Sequence, residues 1–380
     1  MCRTLIICLV VICFSSCKKL FIKPDETGET NRNFQIFWND VNNSYPYFEE
    51  DNINWKDRYN EYSPKITSST SIDELYTYMT QMLTGFSDGH LSVQYGKKSF
   101  ANPKMRPNIA ELVTEDGVEN GISQNDVDYY YNFHNINKGY IDAVDYHVIT
   151  ASNGIANPTI DTVCIYGYRA VDQIVYINLA SFLTEYRFDN LLADIFKAYP
   201  NSKGMILDLR MNGGGNLGIM WKALSLFVPS NVSEIKYAFN REKVGPLPQN
   251  YGAETYFAIE KNNFSISYNQ PIVVLANRLS VSAAEHAVLA MREIKKRGKK
   301  IKIVGDYTFG ATSFIVERTL PCGIQYTLVN NKTFDINHQV IEKTGVKPDE
   351  FSYLKASNIS KGIDDQMVRA LEIIKTDNFN

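Results

Sequence analysis

Between residues 171 and 305, short apolar segments alternate with segments whose apolar residues recur every three or four positions. The apolar segments include GMILDLR and QPIVVLAN, and the helical ones include DNLLADIFKAY and SAAEHAVLAMREIKKRG. A strand that is apolar throughout is buried on both faces, and amphipathic helices are the elements that cover it. The alternation therefore predicts βαβ units around a mainly parallel sheet, which is an α/β fold.

The remainder of the chain divides by composition. Apolar residues at helical spacing from Phe34 to Tyr45 predict a first helix, and Ser71 with Glu74 forms the sequence pattern of a capping box at the start of a second. The segment that follows is rich in tyrosine, asparagine and short β-like runs. The predicted organisation is a signal segment at 1–17, a tether at 18–32, an N-terminal helical region at 33–99, a β-rich insert at 100–170 and a core at 171–380.

The first residues, MCRTLIICLVVICFSSC, have the pattern of a signal peptide. The apolar run from Leu5 to Phe14 is about half of the ~20 residues needed to cross a bilayer. Small residues directly before Cys17 resemble a bacterial lipobox, which predicts lipidation of Cys17 and attachment to the cell envelope at the outer membrane. The alternative is an ordinary secretory signal in which the cysteine is incidental.

The bulk composition limits the possible partners. The chain has 380 residues, of which 44% are hydrophobic and 21% charged, with a net charge of −3. This balance and the lack of a basic block argue against a nucleic-acid partner. Beyond the predicted signal and lipid site, only Cys164 and Cys322 remain, so at most one disulfide is possible and a cysteine-based zinc site is not expected. No cofactor motif is present, and the oligomeric state stays open.

Ser282 lies where an apolar strand gives way to a helix, in the stretch NRLSVSAAEHAVLAM. A hydroxyl at a helix start is close to the positive end of the helix dipole, which favours a developing anion. Serine is also the preferred residue for capping a helix, so Ser282 on its own is a nucleophile or a cap. Ser280, two residues earlier, has the same two interpretations.

A second feature is the glycine turn in DLRMNGGGNLG, between a strand and a helix. Such a turn can direct main-chain N–H groups into a cleft, as an oxyanion hole requires. A P-loop is excluded because no Gly-Lys-Ser/Thr follows, and a dinucleotide fingerprint fits badly because the glycines are consecutive. The alternative is a tight strand-to-helix turn without a chemical role.

Two histidines and one glutamate complete the set of candidates. His90 lies in the turn SDGH, and histidine is the commonest general base near neutral pH. His286 competes with it, because it lies four residues after Ser282 on the same helix face. Glu342, in VIEKTGVKPD, could orient an imidazole or be a solvated surface residue.

Taken together, FSDGH, GMILDLRMNGGG, VLANRLSVSAAE, IVGDYTFGATS and IEKTGVKPD resemble, in this order, the motifs of the carboxyl-terminal processing peptidases, also called tail-specific proteases, and their tricorn-type relatives. The resemblance implies a serine endopeptidase on a crotonase-like α/β core. It implies that Ser282 is the nucleophile and Ser280 a turn residue. It also implies one oxyanion donor from Gly213-Gly214 and another from the N–H of Ala283.

The chain departs from the pattern of the Ser-Lys members, which have lysine directly after TFG, because Ala311 occupies that position. The tricorn-like branch instead uses a histidine and a glutamate, which implies His90 as base and Glu342 as orienting carboxylate. The serine that this branch places beside its histidine is absent, or is replaced by Ser87 or Ser92. Residues 100–165 also lack a clear carboxylate-binding loop of a PDZ domain, so recognition of a free C-terminus is not implied.

The leading hypothesis is thus a lipid-anchored serine peptidase that acts on peptides or unfolded proteins. An inactive peptide- or ligand-binding lipoprotein on the same fold is the main alternative, since a fold does not determine function. An acyl-CoA enzyme is a third possibility, because crotonase-like cores also occur in that class, but no nucleotide-binding signature supports it.

Overall fold

A computed structural model describes residues 29–101, 139–152, 160–183, 185–264, 266–355, 358 and 361–379. The predicted signal segment, the lipidation site Cys17 and much of the predicted insert lie outside these residues. Within the described part of the chain, no helix is both long and apolar enough to cross a membrane.

The described residues form seven α-helices and fourteen strands. The helices are α1 (Glu29–Ser44), α2 (Trp55–Tyr62), α3 (Ile72–Met82), α4 (Phe188–Ala198), α5 (Leu217–Leu224), α6 (Ala283–Lys296) and α7 (Asp365–Thr376). The first eight strands are β1 (Ser92–Tyr95), β2 (Lys98–Ala101), β3 (His147–Ser152), β4 (Ile160–Arg169), β5 (Ile174–Leu179), β6 (Gly204–Asp208), β7 (Glu234–Glu242) and β8 (Thr255–Glu260). The others are β9 (Ile272–Ala276), β10 (Ile301–Gly305), β11 (Ile315–Thr319), β12 (Gln325–Val329), β13 (Asn331–Asp335) and β14 (Glu350–Phe351).

The central element is a seven-stranded sheet in the order β14-β10-β9-β6-β5-β4-β3. Strands β5, β6, β9, β10 and β14 are parallel, while β3 and β4 are antiparallel additions at one edge. Every residue of β5, β6, β9 and β10 is buried. The mixed α/β fold with a buried, mainly parallel centre is therefore confirmed, whereas the name crotonase-like stays a prediction.

Alternate side chains of the central strands enter two different cores. Ile177, Leu207, Val274 and Ile303 are aligned across neighbouring strands and pack under α4, α5, α6 and part of β7 and β8. The side chains of the opposite face pack against α7. Helices on both faces explain why these strands are apolar throughout.

Strands β3 and β4 correct the predicted domain organisation. They continue the central sheet through antiparallel pairing with β5, so the described part of residues 100–170 is not a separate β-rich insert. The β-like runs in this segment predict an independent unit, because the alternation of side chains within one strand does not reveal which strand it pairs with. Residues 29–32, predicted as the end of the tether, belong to α1.

The N-terminal helices share a core with a second sheet, β11-β12-β1-β2. The capping box predicted at Ser71 and Glu74 is confirmed at the start of α3. A third sheet, β13-β7-β8, lies beside α6. That residues 33–99 are an independent helical subdomain stays a prediction.

A buried charge cluster fixes α7 to the central sheet. The guanidinium of Arg210, which has no exposed surface, binds Asp208 at 2.7 Å and Asp364 at 2.8 Å. Asp364 also caps α7, because its side chain accepts hydrogen bonds from the N–H groups of Gln366 and Met367. Cys164 and Cys322 are both free; Cys164 is buried and Cys322 half-buried.

Candidate active site

Ser282 occupies a strained turn between β9 and α6. Its φ and ψ are 56° and −116°, a combination that non-glycine residues adopt only where the surrounding structure holds them. Its N–H donates to the carboxylate of Glu285 at 3.0 Å, and its carbonyl accepts from the N–H groups of Glu285 at 2.9 Å and His286 at 3.1 Å. These main-chain bonds hold the half-buried residue in place, and Ser282 and Glu285 together also form a capping box at the start of α6.

Ser280 has a different environment. Its side chain is fully buried, donates to the carbonyl of Leu209 at 2.9 Å and accepts from the N–H of Asn277 at 3.1 Å. The hydroxyl of Ser280 thus already donates one hydrogen bond and accepts another. The structure therefore gives Ser280 the part of a turn residue.

The glycine turn packs directly against Ser282. Gly214 has a φ of 95°, and a Cβ atom at this position would lie 2.8 Å from the Cβ of Ser282 and 3.1 Å from the nitrogen of Ala283. The N–H of Val281 donates to the carbonyl of Asn212 at 2.9 Å, which ties the two loops together. Only glycine fits this close approach of one backbone to another.

The N–H groups of this turn are not equivalent. That of Gly214 donates to the side-chain oxygen of Asn212 at 2.8 Å, so it is already occupied. The sequence predicts an oxyanion donor from Gly213-Gly214, and the structure corrects this for Gly214, whose N–H is not free to bind an oxyanion. Within the described part of the chain, the N–H groups of Gly213 and Ala283 donate to no protein group, which leaves these two for an oxyanion.

His90 lies in the turn between α3 and β1, where it is 8% exposed. Its Nδ1 is 3.1 Å from Oδ1 of Asp88, and the same oxygen accepts from the N–H of His90 at 2.8 Å. The carboxylate that contacts the imidazole is therefore Asp88. Asp88 is not among the residues that the motifs predict for the site, although a carboxylate two residues before a candidate base is a usable signal.

Glu342 is buried near His90, but it accepts hydrogen bonds from Thr312 and Ser313. It accepts from the N–H groups of Thr312 at 2.9 Å and Ser313 at 3.0 Å, and from the hydroxyl of Ser313 at 2.9 Å. The prediction that Glu342 orients His90 through a hydrogen bond is thus corrected, because Asp88 occupies Nδ1.

The serines suggested as replacements for the bridging serine are engaged elsewhere. The hydroxyl of Ser87 donates to Asp51, and that of Ser92 pairs with Thr327 at 2.7 Å. Neither bonds to Glu342, whereas Ser313 does. A hydroxyl at this carboxylate is therefore present, but it comes from the segment TFGATS.

That segment connects the two halves of the site. The N–H groups of Gly310 and Ala311 donate to Glu285 at 2.6 and 2.8 Å, and those of Thr312 and Ser313 donate to Glu342. These four consecutive N–H groups thus bind two carboxylates, that of Glu285, which also accepts from the N–H of Ser282, and that of Glu342, which lies near His90. The segment brings the serine and histidine turns into one region through its main chain, so the alanine that replaces lysine is compatible with this arrangement.

The buried charges perturb each other. Burial and the charge of Asp88 together raise the pKa of Glu342 to about 7, against the opposing charge of His90. Burial lowers the pKa of His90, but the hydrogen bond and charge of Asp88, with the charges of Glu342 and Glu285, leave it above its ordinary value. A protonated imidazole is therefore stabilised here, as a base that must accept a proton requires.

His286, the competing base, has a structural environment. It is 1% exposed, its Nδ1 is 3.3 Å from the hydroxyl of Tyr237, and its Nε2 is 3.2 Å from the carbonyl of Thr312. Burial lowers its pKa to about 4, which makes it a poor proton acceptor near neutral pH. Its contact with Thr312 supports the segment that binds Glu342.

Among the described residues, one cluster has the side-chain types that could hold a metal ion. Donor atoms of Asp88, His90 and Glu342 all lie within 4.8 Å of one another. The 3.1 Å contact between Asp88 and His90 is also an ordinary hydrogen bond, so the cluster needs no ion to account for it.

Known peptidases match this chain in the regions that contain the motifs. Residues 173–351 match the model of peptidase family S41, and residues 27–84 match that of the tricorn protease C1 domain. The chloroplastic C-terminal processing peptidase of Tetradesmus obliquus is 29% identical over 185 residues, which are 47% of this chain and 35% of that protein. The chain thus spans about a third of the length of this curated relative.

Solved structures agree on the fold. A candidate peptidase from Parabacteroides merdae ATCC 43184 superposes with a TM-score of 0.70 at 22% identity, over 91% of this chain and 96% of that one. The photosystem II D1 C-terminal processing protease gives 0.52 at 16% identity, over 92% and 98%. Residues 173–351 therefore resemble peptidase family S41, which confirms the predicted resemblance to the carboxyl-terminal processing peptidases, and these matches indicate a serine-type peptidase.

Proposed function

We propose that this chain is a serine endopeptidase that hydrolyses peptide bonds in peptides or unfolded proteins through an acyl-enzyme on Ser282. The observation that carries the proposal is the strained turn of Ser282, packed against a glycine turn, with the N–H groups of Gly213 and Ala283 unoccupied among the described residues. A helix cap alone needs neither the strain nor the contact. Nucleophilic serines, in contrast, sit on strained strand-to-helix turns in other hydrolases.

In the proposed reaction, the hydroxyl of Ser282 transfers its proton to Nε2 of His90 as its oxygen attacks the substrate carbonyl. Asp88 accepts a hydrogen bond from Nδ1–H of His90, which fixes the tautomer that leaves Nε2 able to accept the serine proton. The N–H groups of Gly213 and Ala283 stabilise the oxyanion of the tetrahedral intermediate. His90 then protonates the departing amine, and water hydrolyses the ester by the same steps.

Two further carboxylates support the imidazolium that forms. The charges of Glu342 and Glu285 both raise the pKa of His90. Glu342 is not required as a hydrogen-bond partner for this effect, because its charge acts through space in a buried site. We assign it the part of an electrostatic stabiliser.

We further propose attachment to the bacterial cell envelope through a lipid on Cys17, with the outer membrane as the site. The support is the lipobox-like sequence alone. The name of the Tetradesmus obliquus relative suggests substrates cut near their carboxyl termini. Extended or unfolded polypeptide tails are therefore the substrate class that we propose to test first.

The test is labelling of the full chain, purified in detergent, with a fluorophosphonate probe and detection by intact mass. We expect one adduct on the wild type, and none on Ser282→Ala or His90→Ala. Ser282→Ala should keep the melting temperature within a few degrees, since the main-chain hydrogen bonds of residue 282 persist. Folded wild-type protein without an adduct would contradict the proposal and favour a binding protein.

A further inference from the structure

Asp51 lies in the loop after α1, outside the region that matches peptidase family S41. Its side chain has no exposed surface, which is unusual for a loop carboxylate. It accepts hydrogen bonds from the N–H of Ser87 at 3.0 Å and from the Ser87 hydroxyl, from Nζ of Lys343 at 2.7 Å, and from the hydroxyl of Tyr45. A buried carboxylate with this many donors is held in one orientation.

The partners of Asp51 are sequence neighbours of the proposed catalytic groups. Ser87 directly precedes Asp88 and lies three residues before His90, while Lys343 directly follows Glu342. Lys343 has a φ of 68°, a left-handed conformation that a lysine adopts only when it is held there. One carboxylate therefore joins the turn that carries the base to the turn that carries Glu342.

A second contact from the same loop reinforces the first. The hydroxyl of Tyr47 is 2.6 Å from that of Ser313, which in turn donates to Glu342. Nζ of Lys343 lies 5.6 Å from the centre of the Tyr47 ring. The loop thus contacts Lys343, which follows Glu342 in the sequence, and Ser313, which donates a hydrogen bond to Glu342.

We propose that Asp51 is a positioning residue of the active site, which holds the His90 turn against the Glu342 turn through Ser87 and Lys343. The inference rests on the proposed function, and it assigns to the N-terminal region a part in the chemistry of the peptidase domain. Asp51 itself touches no reacting atom.

The charge of Asp51 gives the proposal a specific readout. His90 experiences the negative charges of Asp88, Glu342 and Glu285. Beyond them, Asp51 and Lys343 form an ion pair whose charges offset each other. Asp51→Asn leaves the lysine charge uncompensated and should shift the titration of His90 to lower pH. Lys343→Met leaves the aspartate charge and should shift it to higher pH.

The experiment measures histidine NMR titrations and turnover of fluorescein-labelled unfolded casein by the full chain in detergent. The variants are Asp51→Asn and Lys343→Met, with Asp57→Asn as control, since Asp57 is an exposed aspartate of the same region. Misplacement by about 1 Å can lower a rate about 100-fold, so we expect kcat of Asp51→Asn to fall about 10- to 100-fold with KM within about twofold. Asp57→Asn should match the wild type.

The proposal is overturned if Asp51→Asn keeps the kcat of the control, or if it loses stability and activity without moving the His90 titration. Should Asp51→Asn not fold, Ser87→Ala removes one of the same contacts and must lower kcat in the same way. A wild type without turnover would contradict the proposed function instead. The opposite titration shifts in the two charge variants would still decide whether Asp51 acts on the His90 turn.

Discussion

Replacing Gly214 by alanine tests the proposed nucleophile and oxyanion site in a single change. A Cβ atom at Gly214 would lie 2.8 Å from both the Cβ of Ser282 and the carbonyl oxygen of Val281, and 3.1 Å from the nitrogen of Ala283. Real Cβ atoms do not approach other atoms as closely as 2.8 Å, so the Ser282 turn must move. The glycine turn that carries Gly213 must move with it.

The structure offers a matched control in Gly323. Its φ is 90° against 95° for Gly214, but a Cβ there meets no atom within 4 Å. Both substitutions incur the backbone cost of alanine in a left-handed conformation, about 1–2 kcal/mol. That cost corresponds to a fall in melting temperature of roughly 1–3 °C in a chain of this size. Only Gly214→Ala adds the steric overlap at the active site.

The assay compares the fluorophosphonate labelling rate and casein turnover of the two variants, with melting temperatures measured in parallel. Gly323→Ala should retain wild-type rates, whereas Gly214→Ala should lose about 100-fold or more, because displacement by about 1 Å suffices for such a loss. If Gly214→Ala labels within about threefold of Gly323→Ala, the glycine turn does not serve Ser282, and the assignment of the oxyanion donors is wrong.

Three further results are expected. Activity should increase with pH through a midpoint above 6.5, because the pKa of His90 is raised and only its neutral form accepts a proton; a profile flat from pH 5 to 8 excludes His90 as base. Asp88→Asn should slow labelling at least about 100-fold, and more than Glu342→Gln does, because of these two carboxylates it is Asp88 that bonds the imidazole. Equal labelling rates in the two variants would contradict a larger part for Asp88. Arg210→Met leaves two buried aspartates without their cation and should lower the unfolding free energy by about 3–5 kcal/mol in urea denaturation, and a loss below about 1 kcal/mol would contradict the buried-cluster interpretation.

The central fold could be predicted because its strands and helices have different periods of apolar residues. GMILDLR is buried in full as β6 and the two residues after it, IVVLAN of QPIVVLAN is buried as β9 and the residue after it, and AAEHAVLAMREIKK is α6. The two smaller sheets were not foreseen. Their strands pair with partners far away in the sequence, as β1 does with β12, and no local pattern encodes such pairing.

The site could be predicted to the level of segments but not of hydrogen bonds. Ser282, His90 and Glu342 come from motifs that the fold brings towards each other, and residue type indicates the chemistry each supports. Which carboxylate contacts the imidazole depends on side-chain directions within a turn. Asp88 therefore emerged only from the structure, as did the hydrogen bond that occupies the N–H of Gly214.

The contact of Asp51 with Lys343 joins residues 292 positions apart, and that of Tyr47 with Ser313 joins residues 266 apart. Contacts of such separation require closure of very large loops, so the ordering of this site depends on nearly the whole chain having folded. A nascent or partly unfolded molecule holds its serine and its histidine apart. Under the proposed function, completion of folding is then itself the activating event.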